Sequence, residues 1–173
     1  IWNTVTHNEK GKVILHRFAS AAPVVKAKEY WLTQFSGNYK REATLNEERL
    51  SEGVKILDSK LGIRAHQMRI PSFILSLNGP AKENEGEVLA ASLRWSGSFQ
   101  FAFDVDWNKN LRMLTGMNPL GSQYNLERGG TFTTPAILYT YSKQGKGEAS
   151  RRFHRWAMAN AIRDTEKDRP VLL

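Results

Sequence analysis

Over the first 140 residues, short apolar runs alternate with breaks of Gly, Asn, Pro and Ser. The runs are rich in β-branched and aromatic residues, the composition of strands. They lie at 13–18 (VILHRF), 29–35 (EYWLTQF), 53–62 (GVKILDSKLG), 72–77 (SFILSL), 87–95 (EVLAASLRW), 99–107 (FQFAFDVDW), 111–116 (LRMLTG) and 133–142 (TTPAILYTYS). Period-two alternation is clearest in FQFAFDVDW. There Phe99, Phe101, Phe103, Val105 and Trp107 share one face, and Gln100, Ala102, Asp104 and Asp106 the other. The SGS at 96–98 predicts a hairpin turn between two central strands, with Arg94 opposite the carboxylates. Between EYWLTQF and GVKILDSKLG, the stretch SGNYKREATLNEERL (36–50) reads as polar surface.

The period changes near residue 145. KQGKGEAS reads as a Gly-rich break, and RRFHRWAMANAIRD follows with helical spacing that puts Phe153, Trp156, Ala157, Asn160 and Ala161 on one face. Ser150 is the candidate cap, and Pro170 closes the helical region. The pattern predicts a mainly β fold, an antiparallel β-sandwich followed by a C-terminal helix. The VLL after Pro170 reads as the start of a strand left without a partner, the mark of a cut through a larger protein.

Composition narrows the chemistry. The 173 residues suffice for one domain with a core, and they contain no cysteine, which excludes thiolate catalysis, disulfides and cysteine zinc sites. No apolar run is long enough to span a bilayer, so a soluble protein is expected, of bacterial cytoplasm or periplasm. The formal charge of +8 raises the prospect of an acidic partner, but the basic residues are interleaved with acids and RRFHR (151–155) is the densest cluster. Neither nucleic acid nor membrane is expected as a partner.

Candidate chemistry is sparse. His7, His16, His66 and His154 lack ligand spacing, so no metal or cofactor site is expected. His66 reads as a loop-holding histidine. Asp104 and Asp106, two apart on a strand, lie roughly 6.8 Å apart at Cα. Side chains on one sheet face point in parallel, however, whereas a glycosidase pair flanks its bond from two sides. They read as the solvated side of the strand. Gly129-Gly130 and Asn118-Pro119 read as turns. Trp31, Trp95, Trp107, Tyr30, Tyr39, Tyr124, Tyr139 and Tyr141 can stack on sugar rings, but most fall at strand periodicity and suit a core.

Four ordered blocks carry a family resemblance. YWLTQFSGNYKRE is similar to a Ser/His-Gly-x-(Trp/Tyr)-x-Arg-Glu element. LDSKLGIRAHQMRIPSFIL resembles an Arg-Gly-x-Ser-Ser-His-x-x-x-Pro stretch, and GEVLAASLRWSGSFQFAFDVD a Gly-Glu-x-x-Gly-x-x-Leu-x-x-Ser-Gly-Asn element. LRMLTGMNPLGSQYNLERGGTFTTP resembles Arg-x-x-x-Gly-Met/Ile-Asn-Pro and Leu-x-x-Gly-x-x-(Phe)-x-Thr-Pro elements, and NLERGGTFTTPAILYTYSKQGKGEASRRFHRWAMANAIR (125–163), then RPVLL, resembles the join of sandwich and barrel in the family 36 α-galactosidases. The blocks cover about residues 30 to 173, and residues 1–29 match loosely. Departures stand at Leu61, Arg64-Ala65, Ala90 and Ser98.

The resemblance implies a galactose-mutarotase-like supersandwich at 1–143, a linker helix region at 144–168 and the first strand of a (β/α) barrel beginning at 169–173. It implies the non-catalytic N-terminal part of a retaining exo-α-galactosidase acting on oligosaccharides. The nucleophile and acid/base aspartates would lie on the barrel, so this chain is expected to hold no catalytic residue and to be inactive alone. Its partners would be that barrel and, in the whole enzyme, the α-galactoside, with a homo-oligomer left open. The alternatives are a free-standing carbohydrate-binding module, or the same region of an α-N-acetylgalactosaminidase or galactosyl transferase. Within SGNYKREATLNEERL, Tyr39, Arg41 and Glu42 are expected to brace the sandwich edge against its own loops or the barrel.

Overall fold

The computed structural model describes residues 1–64, 68–120 and 123–162. His66 and residues 163–173 therefore lie outside the described residues. Among the described residues the fold is two packed antiparallel sheets with the α-helix Gly145–Asn160 on the outside. The first sheet has five strands in the order β13 (Ile137–Ser142), β8 (Glu87–Leu93), β7 (Arg69–Leu77), β4 (Tyr30–Ser36) and β5 (Thr44–Leu50). The second has four, β3 (Val24–Lys26), β10 (Asn110–Met117), β9 (Phe99–Val105) and β6 (Gly53–Ser59). Two ribbons, β1 (Thr4–Thr6) with β12 (Thr131–Thr133) and β2 (Val13–Leu15) with β11 (Tyr124–Leu126), complete the strands.

Alternation in the sequence builds the core. Phe99, Phe101 and Phe103 of β9 are fully buried, and Phe73 of β7 meets Phe101 and Phe103 edge-on at 5.3 and 4.9 Å from the opposite sheet. Leu32, Leu75, Leu57, Leu111 and Met113 fill the space around them. Each buried aromatic or aliphatic side chain contributes about 1.5–3 kcal/mol, and each edge-on aromatic pair adds about 0.5–1.5. Tyr30 is buried with its hydroxyl satisfied, donating to Val25 O and Lys109 O and accepting from Ala27 N–H.

The SGS bend is not a hairpin. β8 pairs with β7 and β13, whereas β9 pairs with β10 and β6, so residues 94–98 carry the chain from one sheet to the other. Both strands are apolar on their inward faces, and alternation alone does not say whether two such strands are neighbours in one sheet or face each other across the core. β9 also stops at Val105, and Trp107 sits 76% exposed in the following turn rather than on the core face. Half of SGNYKREATLNEERL is the edge strand β5, which the polar sequence hid because an edge strand keeps little of its surface buried.

Helix α1 (Gly145–Asn160) begins inside the Gly-rich stretch, six residues before the predicted start. Gln144 makes no side-chain cap. Instead the loop at 82–86 supplies backbone carbonyls: Gly145, Lys146 and Gly147 N–H donate to Gly86, Lys82 and Glu83 O at 2.9 Å each. These bonds satisfy donors that a helix N-terminus otherwise leaves open. The approach needs glycine. A Cβ at Gly145, which has φ +74, would fall 2.5 Å from the Glu83 and Lys82 carbonyl oxygens. Gly145, Gly147 and Ala149 are consequently buried, and Ala149 packs with Ala81, Val88 and Ala90 on the outer face of the five-stranded sheet.

Candidate functional site

Three regions bear on function: the carboxylates of β9, the loop at 36–43, and the join of sheet and helix. Asp104 faces outward from β9 and pairs with Arg112 at 2.7 Å across the β9–β10 ladder, not with Arg94. Asp106 lies beyond the strand and accepts from the N–H groups of Asn108 and Asn110 and from Asn110 Nδ2 at 2.8–2.9 Å. The Asn110 side chain, then its backbone N–H, holds the Asp106 carboxyl below the usual range. Both aspartates thus belong to the β9–β10 hairpin, one as an ion pair and one as the organiser of its turn.

The loop after β4 is tightly built. Asn38 N–H donates to Arg41 O at 3.2 Å and Arg41 N–H to Asn38 O at 2.8 Å, and Gly37 N–H donates to Met68 O at 2.9 Å. A Cβ at Gly37 would come within 2.8 Å of Arg41 O. Lys40 and Ala43 adopt positive φ, 65° and 54°. The side chains do not form the internal brace expected of them. Tyr39 is 81% exposed, Glu42 accepts only from the nearby Lys40 N–H, and Arg41 is exposed without a side-chain hydrogen bond or ion pair among the described residues. A rigid backbone therefore presents Tyr39, Arg41 and Glu42 outward.

The helix join is polar on its flanks and apolar beneath. Lys146 donates to the Glu47 carboxylate of β5, which also accepts from the Thr33 hydroxyl of β4 at 2.6 Å. Burial raises the Glu47 pKa, but the hydrogen bonds from Lys146 and Thr33 outweigh it and the net shift is downward. On the exposed side of α1, Glu148 accepts from Arg152, Arg155 and Arg151, whose bonds pull its carboxyl down to about 2. Arg94 lies over the Trp156 ring at 5.7 Å. This arginine, expected opposite Asp104, thus meets the helix on the outer face.

Elsewhere the surface offers little chemistry. A cleft of about 680 Å³ on the outer face of the four-stranded sheet is lined by Arg17, Phe18, Ile56, Lys60, Gln100 and Leu114, among others. It holds no pair of carboxylates, and Phe18 is committed edge-on to Tyr124 and Phe132. Asn118, expected as a turn residue, is fully buried. Its amide donates to Asp58, Ser59 O and Phe99 O, and its oxygen accepts from Leu120 N–H. His7 is buried with Nε2 2.8 Å from Gly11 O, and Gly129 N–H donates to His7 O, which closes a ribbon end. Of the exposed aromatics Trp2, Tyr39, Trp95, Trp107 and Tyr141, only Tyr141 lies on a strand, and the others stand in the connecting segments. Among the described residues no group of three or more His, Asp or Glu could hold a metal ion, and no helix is long and apolar enough to cross a membrane.

The profile of the glycosyl hydrolase family 36 N-terminal domain covers residues 1–127. The chain belongs to this family. The family 36 likeness reaches residue 1, beyond the motif blocks, which begin near residue 30. Alpha-galactosidase C of Emericella nidulans is 32% identical over 171 residues, 98% of this chain and 22% of that protein. Alpha-galactosidase Mel36A of Lactobacillus acidophilus is 28% identical over 169 residues, 96% of this chain and 23% of that one. The crystal structure of the Lactobacillus brevis α-galactosidase superposes with a TM-score of 0.89 at 29% identity, over 97% of this chain and 23% of that one. A doubly substituted form of the Geobacillus stearothermophilus α-galactosidase AgaA, in complex with stachyose, gives 0.90 at 26% identity, again over 97% and 23%. The family 36 chain thus spans under a quarter of the length of these relatives.

Proposed function

We propose that this chain is the non-catalytic N-terminal sandwich and linker of a retaining exo-α-galactosidase that removes terminal α-D-galactosyl residues from oligosaccharides. One observation carries the reading: the chain aligns over nearly its whole length with α-galactosidases roughly four times longer. In this reading residues 1–143 are the sandwich, 144–168 the linker region, and 169–173 lead into a catalytic (β/α) barrel bearing the nucleophile and the acid/base. The reading is supported by Asp104 and Asp106, whose bonds are spent on their own hairpin. Two carboxylates that hydrolyse a glycoside must instead flank a bound sugar.

The test is an assay with an aryl α-galactoside. Residues 1–173 should give no turnover, and the full-length protein should release the aryl group with retention at the anomeric carbon. Release from the α-N-acetylgalactosaminide instead, or transfer to a sugar acceptor in place of water, would move the protein to a neighbouring specificity. Turnover by residues 1–173 alone, lost in Asp104→Asn, would reject the reading. A free-standing carbohydrate-binding module is disfavoured because the likeness to much longer α-galactosidases spans nearly the whole chain.

A further inference from the structure

Helix α1 is seated unevenly. Its first turns lie flush on the sheet, with Gly145, Gly147 and Ala149 buried. Its last turns lift away and leave a groove of about 420 Å³ between helix and sheet. The floor is apolar, made by Ile74, Ala90 and Leu138 below and Phe153, Trp156 and Ala157 above. The groove is open to solvent and leaves the apolar rings of Phe153 and Trp156 half-buried, surface that an occupant would remove from water. We propose that this groove seats an apolar, acid-flanked segment of the catalytic domain of the same polypeptide, an inference that rests on the function proposed above.

Charge and position select that occupant. The groove is lined by Arg94 and His154, and Arg151, Arg152 and Arg155 stand exposed on the same turns of the helix. Against these arginines the helix sets one carboxylate, Glu148. Three arginines share that one carboxylate, and carboxylates brought by an occupant add complementary charge. Ala161, just past the end of α1, lines the groove and is exposed. Polypeptide leaving the helix therefore starts at the groove mouth, where tethering gives it a high effective concentration over any second copy. The relatives carry more than three quarters of their length outside the matched region, which provides such a domain.

The experiment uses the full-length protein with the photocross-linker p-benzoylphenylalanine in place of Ala161. Mass spectrometry identifies the cross-linked peptide, and α-galactosidase activity is assayed on the same preparation. A cross-link to a peptide beyond Leu173 that contains apolar and acidic residues supports the inference. A cross-link confined to residues 163–173, a cross-link to a second copy, or none above background overturns it. Arg94→Glu should lower the cross-link yield about threefold, the scale of one exposed ion pair, and an unchanged yield would reject the acid-flanked chemistry. An active enzyme without the cross-link fails the docking inference alone. A cross-linked protein without activity on α-galactosides fails the functional reading alone.

Discussion

Lys146, in the first turn of helix α1, is ion-paired with Glu47 in the middle of edge strand β5. The pair crosses 99 residues of sequence and ties the helix to the far edge of the five-stranded sheet. Its side chains are only 17% and 24% exposed, and Thr33 gives the carboxylate a second donor. The bond geometry therefore matters more than in an open surface pair.

Glu47→Gln should lower stability by about 1.5 kcal/mol near neutral pH, the low end of the range for a hydrogen bond to a charged group. The folded-state pKa of Glu47 lies below its unfolded value of about 4.3. The contribution is therefore present above that unfolded value and is lost as pH falls through the folded one. Urea titrations at pH 7 and at pH about 3 should show the difference between the parent and Glu47→Gln shrinking in acid. A difference that grows in acid would contradict the pairing.

Gly145→Ala should destabilise the chain more than Gly147→Ala. A Cβ at Gly145 meets the backbone oxygens of Lys82 and Glu83 at 2.5 Å and must adopt φ +74. A Cβ at Gly147 meets first the flexible end of Glu83 at 2.0 Å, which can swing aside. Overpacking against fixed atoms costs about 1–3 kcal/mol, and thermal unfolding of the two variants gives the order.

Asn118→Ala should cost about 1–3 kcal/mol. It removes the donor to Ser59 O and Phe99 O in a fully buried site and the acceptor for Leu120 N–H. Denaturant midpoints measure it, and Asn118→Asp should also destabilise because a carboxylate cannot donate to those carbonyls.

Tyr39→Ala and Arg41→Ala should leave the stability of this chain almost unchanged, within about 0.5 kcal/mol, because both side chains point outward. Gly37→Ala should lower it, since its Cβ would meet Arg41 O at 2.8 Å and Glu42 Cα at 2.9 Å. A marked loss of stability in Arg41→Ala would restore the internal brace. In the full-length protein, kinetics with Arg41→Ala then separate a substrate contact, which raises KM, from a contact with the barrel, which lowers thermal stability.

The sequence alone determined the class of fold and the face of most central strands. Phe99, Phe101 and Phe103 alternate with Gln100, Ala102 and Asp104, and a strand so patterned has one side with large apolar surface to bury. The motif blocks also placed the chain in its family, because each block ties residue types to fixed spacings. Only the tertiary structure decided what pairs with what. Residues 94–98 could turn a hairpin or change sheets, and the packing of Phe73 on Phe101 and Phe103 put the two strands in opposite layers. Strand β5 was hidden because an edge strand with Asn46, Glu47, Glu48 and Arg49 takes its stability from β4's hydrogen bonds rather than from burial. The glycines at 145 and 147 read as a break because local propensity disfavours glycine in a helix. The 82–86 loop reverses that preference: it supplies the backbone oxygens that cap α1 and occupies the space where side chains would stand.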